Sequence, residues 1–166
     1  MYSLNVPVPG EVSKWASAHY PELSAFERVR ERHSLTLKRF GSMERARLRE
    51  RLAHVLSPAP AFEVRITGID HFARPVSGPG PVLYFAVESP GLLRLHHRLV
   101  EAFGAIETLE GDDYTPHVTL ARGGRVADAE RLAGMDVEPI TWTASGLDLW
   151  DTEYRETVAR IPLPQS

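Results

Sequence analysis

The segment YTPHVTLAR, residues 114–122, decides the fold that we expect for this chain. In an extended strand alternate side chains share a face, so His117 and Thr119 project together while the valine and leucine beside them pack into the opposite layer. Arg122 lies at the far end, where its planar guanidinium can hold an oxyanion. The pattern predicts a strand that begins at His117 and presents a histidine and a hydroxyl on one wall of a cleft.

A second segment, HSLTLKRF at residues 33–40, contains the same residue types in nearly the same order. Its threonine, Thr36, precedes Arg39 by the spacing found in the first segment. His33, however, precedes Thr36 by three positions rather than two, which in a regular strand places the two side chains on opposite faces. A bulge between His33 and Thr36 would restore a shared face; alternatively, Ser34 supplies the hydroxyl.

The two histidine segments occupy equivalent places in a repeated order of elements. Each half of the chain runs strand, Pro-Gly, amphipathic helix, loop and a strand that opens with histidine, with the Pro-Gly pairs at 9–10 and 90–91. Predicted strands are 3–8, 33–40, 62–72 with a bend at Gly68, 82–88, one from His117, and two near 141–150 and 155–161; predicted helices are 11–20, 43–56 capped by Ser42, 92–103 and 128–133.

This order predicts an α+β protein in which two similar lobes form a single domain over residues 1–166. Each lobe is expected to be an antiparallel sheet with helices packed outside it, and the active cleft is expected to lie between the lobes. The first lobe is centred on residues 11–73 and the second on residues 91–150, with the lobes interleaved.

Composition excludes several classes of protein. The chain has no cysteine, so disulfides, thiolate metal sites and a cysteine nucleophile are not available to it. A net charge of -3 argues against a protein that coats nucleic acid by bulk electrostatics. No stretch approaches the ~20 apolar residues of a membrane helix, and no targeting segment is recognised, so we expect a cytoplasmic protein that does not bind membranes.

The adjacent His96 and His97 point in different directions on a helix and are predicted to lie at the surface.

The two segments resemble the motifs of the 2H phosphoesterase superfamily, which includes the RNA 2',3'-cyclic phosphodiesterases also called 2'-5' RNA ligases. That family has two motifs of the form His-x-Thr/Ser-x, one in each lobe of a bilobal α+β fold. The sequence HVTL at 117–120 fits this form, and HSLT at 33–36 departs from it by one inserted residue.

The resemblance implies metal-independent hydrolysis of 2',3'-cyclic phosphodiesters on RNA ends or nucleotides to 2'-phosphates, an RNA-processing reaction. His33 and His117 would be the catalytic pair: one activates water and the other protonates the 3'-oxygen, without an indication of which does which. Histidine suits both roles because its pKa lies near 6.5, and a bell-shaped pH profile is expected. The reverse step, with a 5'-hydroxyl in place of water, would give 2'-5' ligation.

The candidate substrate-binding residues surround these histidines in the sequence. Tyr114 is expected to stack on a base or ribose or, alternatively, to pack in the core. The expected partner is an RNA 3' end or a nucleotide with a 2',3'-cyclic phosphate, bound by a monomer that needs no metal or other cofactor. The substrate-binding set is Ser34, Thr36, Arg39, Tyr114, Thr119 and Arg122.

Two other functions stay open at this point. A non-catalytic RNA- or nucleotide-binding module would present exposed aromatic side chains on its central strands, where this chain carries His, Ser, Thr and Leu instead. A phosphoesterase for a small cyclic-phosphate metabolite would differ in the loops that recognise the base, such as residues 73–81.

Overall fold

The structure, a computed structural model, describes residues 1–164. Every predicted element other than the 141–150 strand is present, with its ends within two residues of those expected. The strands are β1 (Tyr2–Val6), β2 (Arg28–Val29), β3 (Leu35–Phe40), β4 (Phe62–Phe72), β5 (Val82–Glu88), β6 (His117–Arg122), β7 (Ile140–Ala144), β8 (Gly146–Asp151) and β9 (Glu156–Pro162). The helices are α1 (Gly10–Ala18), α2 (Tyr20–Leu23), α3 (Arg45–Leu56), α4 (Pro90–Phe103) and α5 (Val126–Ala133), with a 3-10 turn at Gly111–Asp113.

All strands join one curled antiparallel sheet in the order β7-β4-β5-β6-β3-β1-β8-β9, and the short β2 also pairs with β6. The two motif strands, β3 and β6, are therefore neighbours at the centre, where Leu35 pairs with Val118. Four strands lie on each side of this junction. The predicted α+β class, with two similar halves and helices packed outside, is confirmed.

Strand pairing interleaves the halves more deeply than the sequence suggests. Strand β4 falls in the region 11–73, yet it pairs with β5 and β7 in the half that contains His117. The predicted strand 141–150 is two strands, β7 and β8, which lie in opposite halves of the sheet. No proline separates the two strands, and the corner is marked only by Ser145, Gly146 and a change of phase in the apolar alternation, from even positions to odd ones.

The apolar side of the motif strands forms the centre of the core. Leu35, Leu37, Val118 and Leu120 are all 0% exposed, and each buried leucine contributes roughly 1.5–3 kcal/mol relative to an exposed one. Helix α4 packs against β3 and β4 on this side. The opposite side of the motif strands is left free to form a cleft.

Several helix ends differ from the prediction. Helix α3 begins after Glu44, without a side-chain cap, so Ser42 is not its cap as predicted. At the start of α4 the Ser89 hydroxyl accepts a hydrogen bond from the Leu92 amide at 3.2 Å and caps the helix.

Two other predictions concern single residues. His96, expected at the surface of α4, is 0% exposed, so that prediction is wrong. The predicted bend at Gly68 is confirmed by a register shift between β4 and β5 at this position.

Candidate active site

The two motif segments align without an insertion when residues with the same degree of side-chain burial are matched. Residues 34–39 and residues 117–122 have the same order of side-chain environments: partly exposed, buried, partly exposed, buried, buried, partly exposed. In this alignment Ser34, rather than His33, corresponds to His117. His33 corresponds to Pro116, one position earlier.

A bulge at the same place in each strand explains the spacing of threonine and arginine. Leu37 has no partner on β1, because Thr36 and Lys38 pair with consecutive β1 residues. Leu120 is left unpaired against β5 in the same way. An extra residue in a strand re-aims the residues that follow it, so each threonine shares a face with the arginine three positions later. The bulge predicted between His33 and Thr36 is therefore wrong, since the irregularity follows the threonine.

The open face of the two motif strands forms the floor of a cleft. Its inner part is a cavity of about 120 Å³, and an outer part of about 220 Å³ shares Thr36, Thr119 and His117 with it. The inner cavity is lined by Arg30, Arg32, Ser34, Thr36, Arg39, His117 and Thr119. The outer part also has Phe72, Arg74, Ser77, Tyr114, Thr115 and Arg122 among its lining residues. Six predicted site residues thus meet at or beside His117, along with Arg30, Arg32 and Arg74, which the sequence analysis missed.

His33 is placed outside this cleft. It lines a separate cavity of about 430 Å³ beside α1, and its Nδ1 lies 3.3 Å from the Ser13 hydroxyl oxygen. Its Nε2 is buried and has no hydrogen-bond partner within residues 1–164. Adjacent side chains of an extended segment point in opposite directions, so with Ser34 in the cleft, His33 faces away. The predicted pairing of the two imidazole rings across one cleft is corrected accordingly.

The His117 ring is held in a defined tautomer. Its Nδ1 lies 2.7 Å from the carbonyl oxygen of Thr115, and because a carbonyl only accepts hydrogen bonds, Nδ1 carries the proton. Nε2 of the neutral ring is then a free acceptor. The Phe72 ring packs perpendicular to the His117 ring with the two centroids 5.3 Å apart, and the Tyr84 ring centroid lies 5.2 Å from that of His117. These contacts orient the ring.

The surroundings of His117 favour its neutral form. Burial lowers the pKa of His117, and the positive charges of Arg39, Arg30 and Arg122 lower it further, against the opposing hydrogen bond to Thr115. A histidine with a lowered pKa is unprotonated near neutral pH and can act as a general base. The structure thus favours a base role for His117.

Positive charge is concentrated at the cleft although the whole chain is slightly acidic. Burial lowers the pKa of Arg30, and the nearby positive charges of Arg122, Arg155, Arg32 and Arg28 lower it further. Within residues 1–164 none of these side chains forms a salt bridge. Like charges that crowd together without a salt bridge indicate an anion-binding site. The alternating arginines at positions 28, 30 and 32 were the available sequence signal.

The guanidinium of Arg122 forms hydrogen bonds with the loop at residues 73–81. Its Nη2 donates to the carbonyl oxygen of Ser77 at 2.8 Å, and its Nε donates to that of Pro79 at 3.2 Å. Gly78 packs against the guanidinium with φ +77, and a Cβ there would lie 3.0 Å from the guanidinium carbon. Arg122 therefore holds the loop over the outer cleft, whereas Arg39 lines the inner cavity.

Tyr114 packs in the core rather than standing free for a base, which is the second of the two alternatives. Its ring stacks on His96 with the centroids 3.7 Å apart, and its hydroxyl donates to the Thr36 carbonyl oxygen at 2.8 Å. Burial raises the pKa of the Tyr114 hydroxyl, so it stays a neutral donor. Tyr114 therefore supports the β3 backbone beneath the cleft.

A buried polar network, which the sequence analysis missed, fixes the same strand. Glu110 accepts from Lys38 Nζ at 2.6 Å and from the Arg39 amide at 2.8 Å. His96 Nδ1 lies 2.8 Å from the Leu37 carbonyl oxygen, and His96 Nε2 accepts from the Gly111 amide at 3.0 Å. These bonds tie β3 to the turn before β6, so the two motif strands keep their relative position.

Two features are absent from residues 1–164. These residues contain no group of three or more His, Asp or Glu side chains placed to hold a metal ion. Their helices include none with the length and hydropathy needed to cross a bilayer.

Comparison with known proteins places these features in a family. The sequence matches the model of the 2'-5' RNA ligase superfamily over residues 10–156, whereas no curated protein sequence matches it. Among solved structures, E. coli LigT complexed with NADP+ has a TM-score of 0.68 at 16% identity, over 99% of this chain and 97% of that chain. LigT complexed with 3'-AMP gives the same score and identity, over 99% and 98%. A protein of Thermus thermophilus has a TM-score of 0.67 at 21% identity, over 99% and 98%. At these identities the likeness shows a shared fold.

Proposed function

The chain belongs to the 2'-5' RNA ligase superfamily of 2H phosphoesterases, and from this premise we propose that it hydrolyses 2',3'-cyclic phosphodiesters on nucleotides or RNA 3' ends to 2'-phosphates. The resemblance predicted from the two motif segments is thereby confirmed. One observation carries the proposal: the cavity at the motif strands combines the imidazole of His117, the hydroxyls of Thr36 and Thr119, and the guanidinium of Arg39.

The cleft offers the groups that a phosphodiester needs. Hydroxyl groups and guanidinium groups donate hydrogen bonds to non-bridging oxygens and stabilise the charge that develops on them. The related LigT was solved with the nucleotides 3'-AMP and NADP+, which supports a nucleotide as the ligand here. Since residues from both halves of the sheet line the cavity, we propose that the chain works as a single two-lobed domain and as a monomer.

His117 acts as the general base in this proposal. Nε2 accepts a proton from a water molecule, the water oxygen forms a bond to phosphorus, and the bond from phosphorus to the 3'-oxygen breaks. The phosphate stays on the 2'-oxygen. With an RNA 5'-hydroxyl as the incoming or leaving group, the same site would form or cleave a 2'-5' linkage. The proposed steps use the side chains of the cleft and involve no metal.

The proposal is tested by turnover of the four nucleoside 2',3'-cyclic monophosphates in the presence of EDTA. We expect nucleoside 2'-phosphates as products, and a loss of about 10²–10⁴-fold in kcat/KM for His117→Gln. The matched control is His54→Gln, because His54 is exposed on α3, away from the cleft. Absence of turnover in the wild type, or equal rates in His117→Gln and His54→Gln, would remove the proposal.

A non-catalytic nucleotide-binding role is the second candidate. It is favoured by the presence of Ser34, rather than a second histidine, at the position equivalent to His117 in the repeat. Calorimetric titration with 2'-AMP separates the two functions when it is run beside the turnover assay. Binding that depends on Arg39, without turnover of any cyclic nucleotide, would identify a binding module.

A further inference from the structure

We infer that Ser34 occupies the second acid–base position of the cleft, so that within residues 1–164 His117 is the one side chain of the inner cavity that transfers a proton. This inference rests on the proposed function and deepens it. Family members carry a histidine in each motif, whereas this chain presents a histidine from β6 and, from the residue just before β3, a serine.

The equivalence of positions 34 and 117 follows from the fold alone. Each is two residues before a threonine on the cleft face, and each threonine is followed by a bulged leucine. The two segments run in opposite directions from the pair formed by Leu35 and Val118. A twofold relation about this pair exchanges Ser34 with His117, and both line the same cavity.

Serine does not replace histidine in proton transfer. A hydroxyl can donate a hydrogen bond to an oxygen, but it has no protonated, positively charged form near neutral pH that could act as an acid. The arginines of the cavity keep their protons under the same conditions. The cleft therefore combines one base with several fixed hydrogen-bond donors.

The proton balance of the reaction changes accordingly. The attacking water gives its proton to His117 Nε2 while its oxygen bonds to phosphorus. The departing 3'-oxygen, hydrogen-bonded by a cleft donor, takes its proton from solvent water. The imidazolium of His117 returns its proton to solvent before the next turnover. Atoms and charges balance without a second imidazole.

The dependence of rate on pH distinguishes one proton-transferring group from two. The titratable or charged groups that line the two parts of the cleft with His117 are Arg30, Arg32, Arg39, Arg74, Asp113, Tyr114 and Arg122, and Tyr84 on β5 packs against its ring. Burial raises the pKa of Tyr84 to about 12, so this hydroxyl does not titrate between pH 5 and 9. The expected profile of kcat/KM rises with pH to a plateau, which replaces the bell shape expected for two histidines.

The decisive variant is Ser34→His. We expect kcat/KM to increase about 10²-fold or more at the optimum and the profile to gain a descending limb at high pH. The matched controls are Ser24→His, which introduces a histidine at an exposed position, and His33→Gln, which removes the displaced histidine; neither should change the rate. A folded Ser34→His variant that binds 2'-AMP yet keeps the wild-type rate and plateau would overturn the inference.

A second measurement separates this inference from the proposed function. Imidazole NMR signals are followed while 2'-AMP is added to Ser34→His. Shifts of both the introduced ring and His117, with His33 unmoved, would support the shared cavity even if the protein turned nothing over. Activity that appears only in Ser34→His would overturn the proposed wild-type function while supporting the role of position 34. An introduced ring that does not respond when His117 does would overturn the inference.

Discussion

Leu35 pairs with Val118 at the junction between the two halves of the sheet. Both side chains are fully buried, and their neighbours along each strand turn to the opposite, open face. In this antiparallel register Thr36 comes opposite His117. One buried apolar pair thus brings a hydroxyl and an imidazole from distant parts of the sequence to a single cavity.

The stability of the protein should fall below pH 6.5 because of His96. Burial lowers the pKa of His96, and its Nε2 must be unprotonated to accept from the Gly111 amide. The unfolded chain, with a histidine pKa near 6.5, then binds more protons than the native state, so the free energy of unfolding decreases as pH falls. Urea denaturation of the wild type at pH 7.5 and 5.5 measures the effect. His96→Gln should show a smaller difference between the two pH values, and an unchanged difference would contradict this assignment.

The buried Lys38–Glu110 pair should be costly to break. The two side chains are 2% and 1% exposed, and removing one partner of a buried pair leaves an uncompensated charge. We expect Glu110→Leu to lower the free energy of unfolding by about 3–5 kcal/mol, as measured by urea denaturation. The control is Asp128→Ala, which removes an exposed ion pair with Arg131 and should change stability by less than about 1 kcal/mol. Similar losses in the two variants would refute the buried-pair argument.

Arg122→Ala should loosen the loop at residues 73–81. The variant removes two hydrogen bonds to the loop carbonyls, so amide hydrogen exchange in residues 73–81 should accelerate. If the loop orders the outer cleft, KM for a cyclic nucleotide should rise several-fold more than kcat falls. Arg131→Ala, at an exposed position on α5, is the comparison. Unchanged exchange in the loop would show that other contacts hold it.

Tyr114→Phe should test the structural role of the Tyr114 hydroxyl beneath the cleft. The variant retains an aromatic ring and loses the hydrogen bond to the Thr36 carbonyl, which costs about 1 kcal/mol of stability. Because the ring already stacks on His96, affinity for 2'-AMP should change less than twofold when measured by calorimetry. A large loss of affinity that depended on the base would show that Tyr114 contacts the nucleotide.

Local patterns predicted most of the elements. Strand β4 has its predicted ends because its apolar residues alternate, and β5 has them because a continuous apolar run lies between clear turn signals. Helix α4 has a regular apolar face. The division of residues 140–151 between two strands was not predictable in this way. It depends on which strands β7 and β8 pair with, and those partners are distant in the sequence.

The sequence by itself determined the repeated order of elements, the motif at His117 and the superfamily, because each is a matter of residue type and short spacing. Only the tertiary structure decided that Ser34, and not His33, shares the cavity with His117. That choice depends on the regular pairing of Leu35 and Thr36 with β1, which leaves no bulge before Thr36; the bulges at Leu37 and Leu120 come after the threonines. A shift of one residue exchanges the two faces of a strand, and the neighbouring strands, rather than the segment itself, set that register.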